Sequence, residues 1–75
     1  MRWQEHLLTS PHIMAGAVCY RGTRIPVSVV LDNLAAGLTE KDLLAQYPTL
    51  PAEAASIALA YAADLARERI VAVPA

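Results

Sequence analysis

The sequence has 75 residues, of which 56% are hydrophobic and 17% charged, and its net charge is −1. A domain of this size buries only about 60% of its unfolded surface. A chain this apolar therefore exposes hydrophobic patches unless it binds a partner. The missing basic excess excludes a free-standing nucleic-acid binder that relies on overall positive charge. We expect a single domain over residues 1–75 that forms a homo-oligomer (a dimer or larger), binds another protein, or does both.

The compartment follows from the single cysteine and the hydropathy pattern. Cys19 has no second cysteine with which to form an intramolecular disulfide, which fits a reducing compartment. The first residues lack the apolar stretch of a signal peptide, and no run of about 18 apolar residues predicts a membrane span. We therefore expect a cytoplasmic protein without membrane contact.

Residues 13–25 predict a short N-terminal β-hairpin. Residues 18–20, Val-Cys-Tyr, suit a strand, and residues 21–23 suit a turn with Gly22 at positive φ. Residues 24–25 then return as the second strand, because a residue before proline favours extended geometry.

The first helix is predicted over residues 26–36. Proline is well placed in a first turn, and Gly37 is placed to cap the C-terminus. Apolar side chains recur along one face at helical spacing, and they are Val27, Val30, Leu31, Leu34 and Ala35.

The second helix, over residues 40–46, has the clearest start signal. Thr39 is the expected N-cap, and Asp42 three residues later completes a short form of the capping box. Pro48 ends this helix, because proline cannot continue it.

The third helix is predicted over residues 52–68. One alanine-rich face permits close packing of helices, and its members are Ala55, Ala58, Leu59, Ala62, Leu65 and Ala66. With a tight connection at residues 47–50, the last two helices match a helix-turn-helix. The alternative is an ordinary helical corner.

DNA binding, if present, would use four scattered polar residues, namely Arg21, Arg24, Lys41 and Ser56. The start of the third helix lacks the Arg, Asn or Gln donors that read bases. Arg21 and Arg24 could equally bind a partner's carboxylates. A purely local alternative pairs Arg24 with Asp32.

Enzyme chemistry is not indicated. The chain has no phosphate-binding glycine loop, and no nucleophile has an obvious base. His6, His12 and Cys19 do not provide the four closely spaced ligands of structural zinc. We expect no catalytic residue, no metal, no cofactor and no small-molecule substrate.

Partner binding is predicted at both ends of the chain. Trp3 is a candidate anchor, because aromatic residues dominate interface energetics, and Arg67 and Arg69 are candidates for reaching a partner's carboxylates. The apolar tail that contains Ile70, Val71 and Val73 could pair as a strand with a partner's sheet edge. The alternative for this tail is a frayed terminus.

The string RGTRIPV at residues 21–27 is followed by LAAGL at residues 34–38, Tyr47-Pro48, and ALAYA at residues 58–62. This pattern, over roughly residues 13–66, resembles the signature of the VapB-type antitoxins, a prokaryotic family first catalogued as a domain of unknown function. The resemblance implies a mainly α fold, a homeodomain-like or winged-helix-like bundle of three helices with a helix-turn-helix and a short N-terminal strand pair.

The same resemblance implies an antitoxin of a type II toxin–antitoxin system. Such a protein neutralises a PIN-like ribonuclease toxin by protein–protein binding and often represses its own operon through operator DNA. The alternative is a dimeric helix-turn-helix transcriptional regulator without a toxin partner, in which the four DNA candidates would contact DNA.

Overall fold

The computed structural model describes residues 2–9 and 17–68. Three helices pack beside a two-stranded antiparallel sheet, which confirms the predicted mainly α class with a short N-terminal strand pair. The elements in chain order are a 3-10 turn (Trp3–Glu5), β1 (Leu7–Thr9), β2 (Val18–Tyr20), α1 (Val27–Ala35), α2 (Glu40–Gln46) and α3 (Ala54–Glu68).

The strand pair differs from the predicted hairpin over residues 13–25. β2 pairs with β1, with Leu7 opposite Tyr20 and Thr9 opposite Val18. The prediction that residues 24–25 form the second strand was wrong. After β2 the chain makes only one isolated bridge, between Cys19 and Pro26, because proline has no N–H to extend a ladder.

The turn after β2 has the predicted conformation. Gly22 has φ 78°, a left-handed value that glycine adopts without steric cost. The hydroxyl of Thr23 donates to the Tyr20 carbonyl at 2.9 Å and accepts from the Ile25 amide at 3.1 Å. These bonds direct the chain into α1.

Helix α1 is one residue shorter at each end than the predicted range 26–36. Pro26 is its N-cap, with extended backbone angles. At the other end the Leu38 amide donates to Asn33 O and the Gly37 amide to Leu34 O, both at 3.0 Å. With Gly37 at φ 96°, this is a Schellman motif, so the predicted cap is confirmed.

Helix α2 occupies its predicted range and has the predicted capping box. The Asp42 amide donates to Thr39 Oγ1 at 3.1 Å, and the Thr39 amide donates to Asp42 Oδ2 at 3.0 Å. The second of these bonds lowers the pKa of Asp42 below its usual value. The capping box therefore fixes the start of α2 locally.

The connection between α2 and α3 is longer than expected. It covers residues 47–53, seven in all, and α3 begins at Ala54 instead of 52. A typical helix-turn-helix has a turn of three to four residues. The order of the two helices is therefore as predicted, but the residues that connect them extend beyond 47–50.

The core lies between the sheet, α1 and the first half of α3. Its largest fully buried side chains are Tyr20, Leu43, Ile57, Val30 and Cys19. The Tyr20 hydroxyl donates to the Ala54 carbonyl at 2.6 Å, which ties β2 to the start of α3. Burial raises the pKa of Tyr20 far above its usual value, so this phenol stays protonated.

Helix α3 is rotated relative to the predicted apolar face. Ala54, Ala55, Ile57 and Ala58 are buried, whereas Leu59 is 55% exposed and Leu65 39% exposed. The prediction that Leu59 shares a face with the buried alanines was therefore wrong. Small alanine side chains let α3 approach the rest of the bundle closely, and Ile57 fills the space.

Within the described ranges, none of the helices has both the length and the apolar composition needed to cross a bilayer.

Candidate partner-binding surface

A surface groove of about 330 Å³ lies between the N-terminal 3-10 turn and the second half of α3. Its lining residues come from both ends of the sequence, and they are Arg2, Trp3, Gln4, Ala60, Ala63, Asp64 and Arg67. Alanines on α3 leave room for the groove, while the aromatic and charged side chains define its walls.

Trp3 forms the aromatic wall of this groove. The side chain is half-buried, and its Nε1 donates to Asp64 Oδ2 at 2.5 Å. Its ring meets Tyr61 edge to face, with centroids 5.0 Å apart and planes at 80°, an arrangement that aromatic pairs favour. Trp3 thus attaches the N-terminal turn to α3.

Asp64 connects Trp3 to the basic rim. Besides the Trp3 indole, it accepts a hydrogen bond from Arg67 Nη2, one turn further along α3. The bond from Trp3, and after it the bond and charge of Arg67, lower the pKa of Asp64 below its usual value. The Arg67 side chain is still 72% exposed, so most of its five donors face solvent.

The groove carries positive charge in a chain that is negative overall. Two arginines, Arg2 and Arg67, line it together with one carboxylate, Asp64, which gives a net charge of +1, against −1 for the chain. The Arg2 Nε lies 3.9 Å from Glu5 Oε1 on the exposed surface. Such solvent-exposed ion pairs are weak, so both guanidinium groups can exchange partners.

The lowered pKa of Asp64 predicts acid sensitivity of this contact. A depressed carboxyl pKa stabilises the fold above the unfolded value of about 3.9, and this stabilisation is lost as pH falls through the folded pKa. Trp3 is the only tryptophan, so its fluorescence should report the loss below about pH 4. Asp64→Asn, which keeps an acceptor but cannot titrate, should flatten this acid transition. An unchanged transition in that variant would assign it to another group.

The four DNA-binding candidates lie on three elements and are all exposed. Arg21 and Arg24 belong to the turn after β2, Lys41 to the first turn of α2, and Ser56 to α3. The Arg21 Nε donates to the Glu5 carbonyl at 3.1 Å, so this guanidinium is partly used within the fold. The ion pairs between described residues do not include the alternative pairing of Arg24 with Asp32.

Among the partner-binding candidates, the structure brings Trp3 and Arg67 into one groove. Arg69, Ile70, Val71 and Val73 lie outside the described residues. Sequence reasoning missed Arg2 and Asp64 as members of this surface. The spacing of Asp64 and Arg67 at i and i+3 was a visible signal, but Trp3 and Asp64 are 61 positions apart, and no local pattern links them.

The part of the chain that the structure describes contains no cluster of side chains that could bind a metal ion. Neither residues 2–9 nor residues 17–68, alone or together, place three His, Cys, Asp or Glu side chains where they could share one ion. Cys19 is buried in the core, with its Sγ 3.6 Å from the Ala17 carbonyl.

Fold and groove together define a small, mainly helical domain with a cationic, aromatic-walled surface. The chain belongs to the family described as "Protein of unknown function (DUF433)", whose model matches residues 9–62. It is 39% identical over 59 residues to the uncharacterized protein y4eO of Sinorhizobium fredii. That match covers 79% of this chain and 27% of the Sinorhizobium protein.

The fold is also similar to the crystal structure of a DUF433 member protein from Anabaena variabilis. The TM-score is 0.75 at 34% identity, and the match covers 87% of this chain and 64% of the other. The chain therefore spans about a quarter of the Sinorhizobium relative and less than two thirds of the Anabaena chain.

Proposed function

We propose that this chain is a VapB-type antitoxin of a type II toxin–antitoxin system and neutralises a PIN-like ribonuclease by binding it. The observation that carries the proposal is the groove, where the exposed Arg67 stands beside a half-buried tryptophan on a chain with few other charges. A cationic, aromatic surface suits an acidic protein partner.

The mechanism would be stoichiometric obstruction of an acidic, metal-dependent nuclease site. A guanidinium is a planar fork of donors that pairs with a carboxylate through two parallel hydrogen bonds. Arg67 lies beside Asp64 at the groove rim, and its remaining donors face solvent, where they are available to the nuclease. Trp3 would supply rigid apolar contact area next to that charge pair.

The C-terminal residues predicted to bind a partner lie outside the described residues, and the proposal gives them a role as well. Arg69 would add a second guanidinium close to Arg67, and Ile70, Val71 and Val73 would pair with a sheet edge of the nuclease. The proposal implies a cytoplasmic location, which is compatible with Cys19 as the only cysteine.

The proposal expects the partner to be encoded by the adjacent reading frame, and the experiment compares how two arginine variants of this chain bind the protein encoded there. Arg67→Gln should weaken the complex by roughly 30-fold or more, because the nuclease carboxylate loses its partner at a cost of about 2 kcal/mol. Arg24→Gln makes the same change in charge on the turn after β2, away from the groove lining, and should bind within about twofold of the parent. The affinities are measured by calorimetry on the copurified partners.

Equal weakening by both variants would contradict the role assigned to the groove. A folded parent chain with no affinity for that nuclease would contradict the antitoxin proposal itself.

A second candidate is a dimeric helix-turn-helix regulator that binds its own operator DNA and has no toxin partner. It is favoured by the order of α2 and α3 and by the exposure of Arg24 and Lys41. For this function the effects of the two variants reverse. Arg24→Gln should weaken a salt-dependent gel shift on the chain's own promoter, and Arg67→Gln should weaken it less, because Arg67 contacts no DNA in this candidate.

A further inference from the structure

The outward side of α3 is an apolar face. Four exposed residues recur along it at helical spacing, and they are Ser56, Leu59, Ala63 and Ala66. Leu59 at its centre is 55% exposed. The sequence has no charged residue between Glu53 and Asp64, whereas the solvent side of a surface helix normally carries several.

We propose that this face binds the same face of a second copy, with the two α3 helices antiparallel across a two-fold axis level with Tyr61. A two-fold contact requires one patch to be complementary to itself. The inference does not rest on the antitoxin function, because it concerns the chain alone.

Side-chain size supports the antiparallel arrangement. With the axis near the middle of α3, Leu59 of one copy lies over the partner's Ala63, and Ser56 lies over the partner's Ala66. Each bulky leucine thus meets a small residue, and the small residues allow the helices to approach within about 8–10 Å. A parallel arrangement would instead put Leu59 against the partner's Leu59 and leave gaps beside the alanines.

Charge supports the same arrangement. Glu53 precedes the N-terminus of α3 and Arg67 lies in its last turn, and both are exposed. At 100° per residue they fall on the same flank of the face. Antiparallel pairing therefore brings Glu53 towards the partner's Arg67 twice, whereas parallel pairing would place this flank of the two helices on opposite sides of the contact and form no such pair.

A second copy is the occupant that this pattern favours, because size and charge both match under a two-fold rotation. Ala63 and Arg67 also line the groove. The dimer contact therefore borders the candidate partner-binding surface and shares Arg67 with it.

The test is sedimentation equilibrium of the full chain over a wide concentration range, with circular dichroism to verify folding. The parent should show a monomer–dimer equilibrium. Leu59→Glu should raise the dimer dissociation constant by about 100-fold or more, because the contact is lost twice across the axis. Ala45→Glu, the matched control at an exposed position of α2, should leave the constant unchanged.

A charge exchange tests the orientation. Glu53→Arg alone should weaken the dimer about tenfold at low salt, as expected for like charges placed opposite each other. Adding Arg67→Glu to the same chain should restore most of the affinity.

A parent that stays monomeric at every concentration would overturn the proposal. So would a Leu59→Glu variant that dimerises like the parent, or a charge exchange without recovery. Because no nuclease is present, these outcomes are independent of any failure of the antitoxin proposal.

Discussion

Replacing Ile57 by alanine is expected to lower the free energy of unfolding by about 2–5 kcal/mol. Ile57 projects from α3 and is fully buried in the core. Its truncation therefore removes apolar contacts and leaves a cavity. Small domains have total stabilities of about 5 kcal/mol. The variant should therefore be only marginally folded, as measured by urea unfolding followed by Trp3 fluorescence.

Leu59→Ala is the matched control, since it removes a similar aliphatic volume two residues further along the same helix. Because Leu59 is 55% exposed, the change should alter stability by no more than about 0.5 kcal/mol when the protein is dilute enough to be monomeric. A Leu59→Ala variant as unstable as Ile57→Ala would contradict the rotation of α3 described above.

The second large effect is expected from Trp3→Ala. A fully buried tryptophan costs about 3–5 kcal/mol when truncated to alanine, and Trp3 is half-buried, so a loss of about 2 kcal/mol is expected. The variant also removes the edge-to-face contact with Tyr61 and the hydrogen bond to Asp64. Thermal unfolding followed by circular dichroism measures the loss, because no tryptophan remains.

Trp3→Phe separates the two contributions of this side chain. Phenylalanine keeps an aromatic ring against Tyr61 but has no donor for Asp64, so its loss should be smaller than that of Trp3→Ala. The pKa of Asp64 should then rise towards its usual value, because the indole bond is the largest cause of the depression. A Trp3→Ala variant as stable as the parent would show that the N-terminal turn is not attached to α3 in solution.

Features that depend on neighbours in the sequence could be predicted. The capping box of α2 needs only Thr39 and Asp42, three positions apart, and Gly37 sits where α1 must end. Such signals give the start or end of a helix because the interacting groups lie within one turn.

Features that depend on distant residues could not be predicted in this way. The predicted partner of β2 is the segment 24–25, but its partner in the structure is β1, and eight residues separate the two strands in the sequence. Leu7-Leu8-Thr9 has no alternating pattern that would indicate a strand. The burial that selects this pairing comes from Leu7 and Tyr20 meeting in the core, which only the folded chain reveals.

The rotation of α3 was misjudged because alanine carries little hydrophobic signal. Leu59 and Leu65 dominated the sequence pattern, but Ala54, Ala58 and Ile57 allow closer packing against the core. Only some of the residues that line the groove could be predicted, because the groove depends on contacts between distant parts of the sequence. Trp3 and Arg67 were identified as partner-binding residues by their chemistry, while their meeting at Asp64 joins opposite ends of the chain.

The central proposal predicts a PIN-like ribonuclease in the adjacent reading frame, and titration of that protein with this chain tests the proposal most directly. If the chain is its antitoxin, RNA cleavage should fall linearly and reach zero at a fixed, near-stoichiometric ratio, and the Arg67→Gln variant should need a large excess. Undiminished cleavage in the presence of excess folded chain would contradict the proposal.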